Sequence, residues 1–412
     1  MKAVVWHGTH DVRTEDVPDP RIVRPKDAIV KVAVTTICGS DLHIYDGFIP
    51  SMRPGDVIGH EVVGEVVEVG PDVRHVRKGD RVLVISIIGC GCCFHCKRTE
   101  FSLCDNSNPH AAMQEKLFGY ATAGIFGYSH LFGGYAGGQA EAIRVPFADV
   151  NCVKVPDGVT DEQALAITDA FPTGYMGADI AGIEPGDVVA VWGAGPVGQF
   201  AIKSAALLGA EKVVAIDRFP ERLERARKVS GAIPLNYAEA DVLEELKEIT
   251  AGRGPDRCID AVGMEAHGLG PAAAYDNAKV RLGFETGRAN VLREMIRACR
   301  KGGVCSIMGV YAGVIDKFPM GVAMNKALTF RMGQMHGQRY APELLRLTRE
   351  GKVDPGFVYT HHFALEDAPE AYKAFRDKQD GCLKTILHPP GANRNNRALA
   401  TEAEFTSAVA AW

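Results

Sequence analysis

Five cysteines crowd into one stretch, from Cys90 to Cys104. Four of them, Cys90, Cys93, Cys96 and Cys104, are separated by two, two and seven residues. Gaps that short let one loop wrap a single tetrahedral ion, and four thiolates suit zinc, with bonds of about 2.3 Å. Four protein ligands leave no open position, so the expected role is structural. Cys92 interrupts the series and could take the place of Cys93; the regular spacing favours Cys93. The other six of the eleven cysteines are scattered. A secreted disulfide scaffold would be shorter and denser in cysteine, so metal ligation is the better reading of the cluster.

A second group of residues points to a dinucleotide. Gly193-Ala194-Gly195-Pro196-Val197-Gly198 has the form GxGxxG, after an apolar run (Val188 to Trp192) and at the start of a helical pattern. Gly193 permits a tight turn, Gly195 lets backbone approach a pyrophosphate, and Gly198 lets helix and sheet pack closely. The helix start, with Pro196 and Val197, offers N–H groups and positive dipole to phosphate. Asp217 follows Gly198 by 19 residues, where a carboxylate binds ribose hydroxyls and repels a 2′-phosphate. NAD is therefore expected over NADP. Arg218 and Arg222 stand against this, since arginines there can hold a phosphate; as solvated helix charges they are neutral to the choice.

A third group is sparser. Cys38-Gly39-Ser40-Asp41-Leu42-His43 follows a strand-like run, and Gly59-His60-Glu61 begins another. A thiolate and an imidazole are ligand types of catalytic zinc. Taken with the two motifs above, these residues resemble the zinc-containing medium-chain alcohol dehydrogenase family over about residues 1 to 390. The resemblance implies a mostly-β, GroES-like catalytic domain, a Rossmann domain, two zinc ions per chain and NAD. It implies that Cys38 and His60 bind catalytic zinc. The family's third ligand is often a cysteine, but none lies between Cys152 and Cys258. Ile167-Thr168-Asp169-Ala170-Phe171-Pro172 resembles instead the glutathione-independent formaldehyde dehydrogenase branch, which makes Asp169 the expected ligand. Glu61 is expected behind the metal, entering its shell during ligand exchange. Asp41 is expected to hold the second ring N–H of His60. Ser40 is expected to take the substrate's hydroxyl proton and pass it, by way of the cofactor ribose, to His43.

The elements that must position these residues are legible in outline. Ile29 to Val34, Glu61 to Val69 and Arg81 to Ile88 read as strands, and the first 155 residues as mostly β. Thr160 and Gln163 form a capping box. From there strands (Val188 to Trp192, Lys212 to Asp217, Arg257 to Val262, Gly303 to Met308) alternate with helices (Pro196 to Leu208, Pro220 to Val229, Val242 to Thr250). That rhythm predicts an α/β, doubly wound parallel sheet. The expected division is 1–155 catalytic, completed by 325–390 with a closing strand at Cys382 to Leu387; 156–324 cofactor-binding; and 391–412 a tail. The segment Met264 to Ala289 is longer than such connections usually are. The resemblance to the formaldehyde dehydrogenase branch implies a loop over the cofactor's adenine side, holding NAD tightly enough for aldehyde dismutation; a plain surface insertion is the alternative. Phe118, Tyr120, Phe126 and Phe132 are candidates to line an apolar substrate pocket.

The 412 residues are 46% apolar and 24% charged with a net charge of -5. That balance argues against a nucleic-acid surface, and no apolar run reaches the ~20 residues of a membrane span. A cytoplasmic enzyme, dimeric or tetrameric by resemblance, is expected to act on a small primary alcohol or aldehyde. A polyol or amino-alcohol dehydrogenase is the alternative on the same scaffold. A non-catalytic NAD-binding sensor is the alternative of another class, and would be expected to have lost zinc ligands or relay residues that are here present.

Overall fold

The computed structural model describes residues 1–265, 288–311 and 315–391. The expected cofactor loop (Met264 to Ala289) lies almost entirely outside the described residues, as does the tail beyond Gly391. The chain divides into two compact units. Among the described residues, one comprises Met1–Pro172 and Met335–Gly391; the other comprises Thr173–Gln334.

In the first unit a curved sheet runs in the order Cys152–Lys154, Arg81–Val84, Val62–Val69, Ala28–Thr36, Thr385–His388, His361–Ala364. Valine-rich alternation builds it: Val30, Val32, Val62, Val66, Val82 and Val84 all face one buried core. The C-terminal strand Thr385–His388 pairs antiparallel with Ala28–Thr36, so the last described strand closes on one of the first. The run Arg81 to Ile88 is not one strand. It leaves the sheet after Val84 and resumes at Ile87–Ile88 in a separate two-stranded sheet. The break frees Ser86 to turn its hydroxyl onto Asp169 (2.5 Å). The Thr160–Gln163 capping box is made in both directions, at 3.0 and 3.1 Å, and opens the helix Asp161–Ala166.

The second unit holds six parallel strands among its described residues. Their order is Ile233–Asn236, Lys212–Asp217, Val188–Trp192, Arg257–Asp260, Val304–Ile307, Thr329–Met332. This is the doubly wound 3-2-1-4-5-6 arrangement, with chain reversal beside the first strand. The sixth strand lies beyond Asn325, where the sequence rhythm loosens; its polar, exposed positions suit a sheet edge. Strands such as Val188–Trp192 are buried along their whole length, as parallel strands covered on two faces must be.

Ile259, on the fourth strand, is wholly buried among Val189, Val191 and Ala201. Ile259→Ala is expected to destabilise this unit by about 2–5 kcal/mol, measured by denaturant unfolding. A loss near zero would mean the core there can collapse around the gap.

Candidate active site and cofactor site

Cys38 ends the run out of strand Ala28–Thr36 and stands at the N-terminus of helix Gly39–Tyr45. Asp41, in the first turn, accepts the Cys38 N–H through Oδ2 at 2.9 Å. Its Oδ1 faces His60 Nδ1 at 3.3 Å. The other ring nitrogen, Nε2, points towards Asp169 Oδ2 at 3.9 Å and Ser40 Oγ at 3.4 Å. Cys38, His60 and Asp169 thus present one sulfur, one nitrogen and one oxygen, all within 4.8 Å of each other. Tetrahedral zinc with bonds of about 2.0–2.3 Å spaces its ligands by about 3.3–3.8 Å, so the set needs little closing to hold an ion. Burial opposes a charge on His60, yet Asp41 and Cys38 raise its pKa well above the ordinary histidine value. The donors therefore surround a place that favours positive charge.

Supports reach this group from distant parts of the first unit. Gln139 Nε2 donates to Asp41 Oδ2 (3.2 Å) and to the Thr36 carbonyl (3.1 Å). The Tyr372 hydroxyl in turn donates to Gln139 Oε1 (2.9 Å). Glu61, wholly buried, is bound by Lys384 Nζ at 2.7 Å. Lys384 is itself 1% exposed and also donates to the Ile37 carbonyl. Burial works against the ammonium, but Glu61 and Cys38 hold its pKa above the usual lysine value. Sequence reading passes over Lys384, Ser86, Gln139 and Tyr372. Lys384 lies inside the expected closing strand and just ahead of the observed one, Thr385–His388, and a lone lysine in an apolar run is the one local signal it offers. His43 lies on the same helix as Ser40 and is buried.

The aromatic candidates part company. Phe126 belongs to the sheet core, while Phe118 and Tyr120 are exposed. Phe132 packs edge-on against Tyr128 (5.5 Å). Tyr128 packs against the cluster that holds Ile37, Leu42 and Ile58, and burial, then the charges of Asp41 and Cys38, push its phenol up.

The cysteine loop closes on itself. Cys90, Cys93, Cys96 and Cys104 bring their sulfurs within 4.8 Å, with 3.9 Å between Cys90 and Cys96 and 4.0 Å between Cys93 and Cys104. Cys92 is exposed, outside that foursome. Backbone N–H groups of Cys92, Cys93 and Cys96 and the Asn106 amide point at these sulfurs at 3.4 Å. Such donors stabilise thiolates, the form a metal needs.

In the second unit Gly193 has φ +90° with Val262 and the Ala261 carbonyl close by. A Cβ on Gly198 would collide with the Gly193 carbonyl oxygen. Gly195 precedes Pro196 at the start of helix Pro196–Leu207, with Val197 and Gly198 in its first turn. A Cβ on Gly195 would meet nothing closer than Arg222 Nη1 at 3.7 Å, so space is open where a phosphate would approach. Asp217 ends its strand with both oxygens engaged: Oδ2 accepts the Ala194 N–H (2.7 Å), and Oδ1 those of Arg218 and Phe219 (2.7 and 3.1 Å). A carboxylate has about four acceptor positions, so these bonds orient it while leaving it able to accept more. Arg218 and Arg222 each lie 4.8 Å from the Phe219 ring, and Arg222 comes within 3.9 Å of Asp217.

Residues 24–157 match the model of the alcohol dehydrogenase GroES-like domain, and 196–268 that of the zinc-binding dehydrogenases. A zinc-type alcohol dehydrogenase-like protein of Bacillus subtilis is 42% identical over 94% of this chain and 100% of its own. The chain belongs to the zinc-type alcohol dehydrogenases. The glutathione-independent formaldehyde dehydrogenase of the same bacterium is 34% identical, over 95% of this chain and 97% of its own. Alcohol dehydrogenase from Thermus sp. ATN1 superposes with a TM-score of 0.79 at 37% identity, covering 94% and 100% of the two chains. The protein is thus an oxidoreductase of this family, with a GroES-like and a Rossmann domain. No helix among the described residues is long and apolar enough to cross a membrane.

Two substitutions probe the site. Lys384→Met leaves Glu61 buried without its cation and is expected to cost about 3–5 kcal/mol. Adding Glu61→Gln should restore much of that loss in thermal or urea unfolding. Gly198→Ala is expected to abolish saturable NAD binding in calorimetry while the metal content of the chain is unchanged.

Proposed function

We propose that the protein is a zinc-dependent dehydrogenase moving a hydride between NAD and a small primary alcohol or aldehyde, formaldehyde included. The observation that carries the reading is the convergence of Cys38, His60 and Asp169, a thiol, an imidazole and a carboxylate. These three would hold the catalytic zinc, and Cys90, Cys93, Cys96 and Cys104 a structural one. When bound, the catalytic ion supplies Lewis acidity, lowering the pKa of a coordinated hydroxyl towards neutrality. A carboxylate is a harder, less electron-donating ligand than a thiolate, which favours that acidity.

The chain's own residues do the rest. Asp41 fixes the His60 ring with Nε2 towards the ligand group. Ser86 holds the Asp169 carboxylate in place. Ser40, beside His60 Nε2, is the acceptor for the substrate's hydroxyl proton, and His43 the next group in its path. Glu61, paired with Lys384, stays behind the ligands as a reserve carboxylate. Gly193 to Gly198 receive the pyrophosphate, and Asp217 the adenosine ribose, which selects NAD over NADP. Arg218 and Arg222 are committed to Phe219 and, for Arg222, to Asp217. Self-association is expected, as a dimer or tetramer. Met320, Val322 and Met324 on helix Met320–Asn325, and Met332 at the end of the edge strand, are exposed apolar side chains that a second copy could cover.

A panel of alcohols, aldehydes, polyols and amino alcohols, each with NAD and NADP, tests the reading. Turnover of formaldehyde without glutathione, and preference for NAD, are expected; a preference for polyols would move the substrate class. Metal analysis is expected to find two zinc ions per chain. Ser40→Ala should lower kcat by a factor of about 10²–10⁴ at normal zinc content. Unchanged kcat, with chemistry limiting the rate, would remove Ser40 from the proton path.

A further inference from the structure

The first unit contains a third convergence of metal-binding side chains, apart from both zinc sites proposed above. Glu162, His362 and His388 bring one carboxylate oxygen and two ring nitrogens within 4.8 Å of one another. His362 Nδ1 lies 3.1 Å from His388 Nε2 and 3.8 Å from Glu162 Oε1. Each comes from a different element. Glu162 is in the first turn of helix Asp161–Ala166, anchored by its capping box. His362 is on strand His361–Ala364 and His388 ends strand Thr385–His388. The strands are parallel, with His362 opposite Ile386. His388, two positions on, therefore leaves the sheet on the same face as His362.

We infer that Glu162, His362 and His388 form a third divalent-cation site, suited to Zn²⁺ or a similar borderline metal. Two imidazoles and a carboxylate are a donor set for such ions, at bonds of about 2.0–2.2 Å. Two ring nitrogens at 3.1 Å must share either a proton or a cation, since two lone pairs cannot face each other. Without metal, one ring N–H bridges the pair. On metal binding the ring that donated this bridge carries its proton on its outer nitrogen instead, leaving His362 protonated on Nε2 and His388 on Nδ1. Both rings turn so that Nδ1 of His362 and Nε2 of His388 converge on the ion beside the line that now joins them. Glu162 offsets one unit of the added charge. The His362 side chain is 30% exposed, so the ion reaches the cluster from solvent and water completes its shell.

The site's place in the chain gives it a consequence. Helix Asp161–Ala166 leads directly to Asp169, and strand Thr385–His388 directly follows Lys384. A cation there clamps together the two segments that deliver Asp169 and Lys384 to the catalytic group. It acts as a staple, outside the ligand shell of the catalytic metal.

The test is titration of the full-length protein, already carrying its resident metals, with Zn²⁺ alone. Uptake is followed by calorimetry and by metal analysis after gel filtration. One further equivalent per chain is expected, with a melting temperature that rises with Zn²⁺ concentration. Uptake should fall as pH drops below about 6.5, where imidazoles protonate. His362→Ala and His388→Ala should each lose that equivalent and the thermal shift, yet keep the resident metals and the dehydrogenase activity. Glu162→Gln, nearly isosteric and partly exposed, should weaken uptake without disturbing folding. The inference is overturned if wild type takes up no further equivalent, or if the histidine or Glu162→Gln variants take it up as tightly. Resident metal content and activity are read separately, so failure here is distinguishable from failure of the proposed function.

Discussion

The site is organised around one electrostatic problem, the concentration of acidic groups about His60. Asp41 and Glu61 are wholly buried, and Cys38 and Asp169 complete the same small volume. An unpaired buried charge costs several kcal/mol, so each must be answered. Lys384 answers Glu61 at 2.7 Å, and the His60 ring leans on Asp41. Asp169, which accepts from Ser86, and Cys38 converge on His60 Nε2, and the proposed divalent cation would neutralise both while bonding the ring nitrogen. The proposed metal thus suits both the charge of this volume and the family to which the chain belongs.

Much of the first unit's architecture serves that arrangement. Its sheet carries Cys38 at the exit of Ala28–Thr36 and His60 and Glu61 just ahead of Val62–Val69, two antiparallel neighbours. Closure by Thr385–His388 brings Lys384 to Glu61 across 323 positions of sequence. The break after Val84 surrenders strand pairing at Ser86 and gains a hydroxyl bond to Asp169. The second unit solves a separate problem, approach of backbone to phosphate. Close packing at Gly193 and Gly198 and open space at Gly195 are its answer.

How far all this is legible from sequence depends on how local the interactions are. The glycine fingerprint and its aspartate can be read because turn, helix start and strand end fall within one βαβ unit. The cysteine loop can be read because its ligands are close in sequence, and the regular spacing picks the same four that the structure brings together. The Asp41–Cys38 bond is likewise a single helical turn. Lys384, Gln139 and Tyr372 are not legible, because nothing near them in the chain announces a buried partner far away. The bend at Ser86 is hidden for another reason. Apolar residues run unbroken from Val82 to Ile85 and resume at Ile87 and Ile88, with Ser86 alone between them, and periodicity cannot distinguish one strand from two. The sixth strand of the cofactor sheet is faint because, at an edge, it lacks the continuous apolar run of its buried neighbours.

The central claim is that a metal binds at Cys38, His60 and Asp169. Diffraction from crystals grown without added metal, collected on both sides of the zinc absorption edge, addresses it directly. The account predicts an anomalous peak within about 2.0–2.3 Å of Cys38 Sγ, His60 Nε2 and an Asp169 oxygen, alongside one inside the cysteine loop. A peak bonded to Cys38 and His60 but with Asp169 turned away, or zinc in the cysteine loop with none at His60, would contradict it.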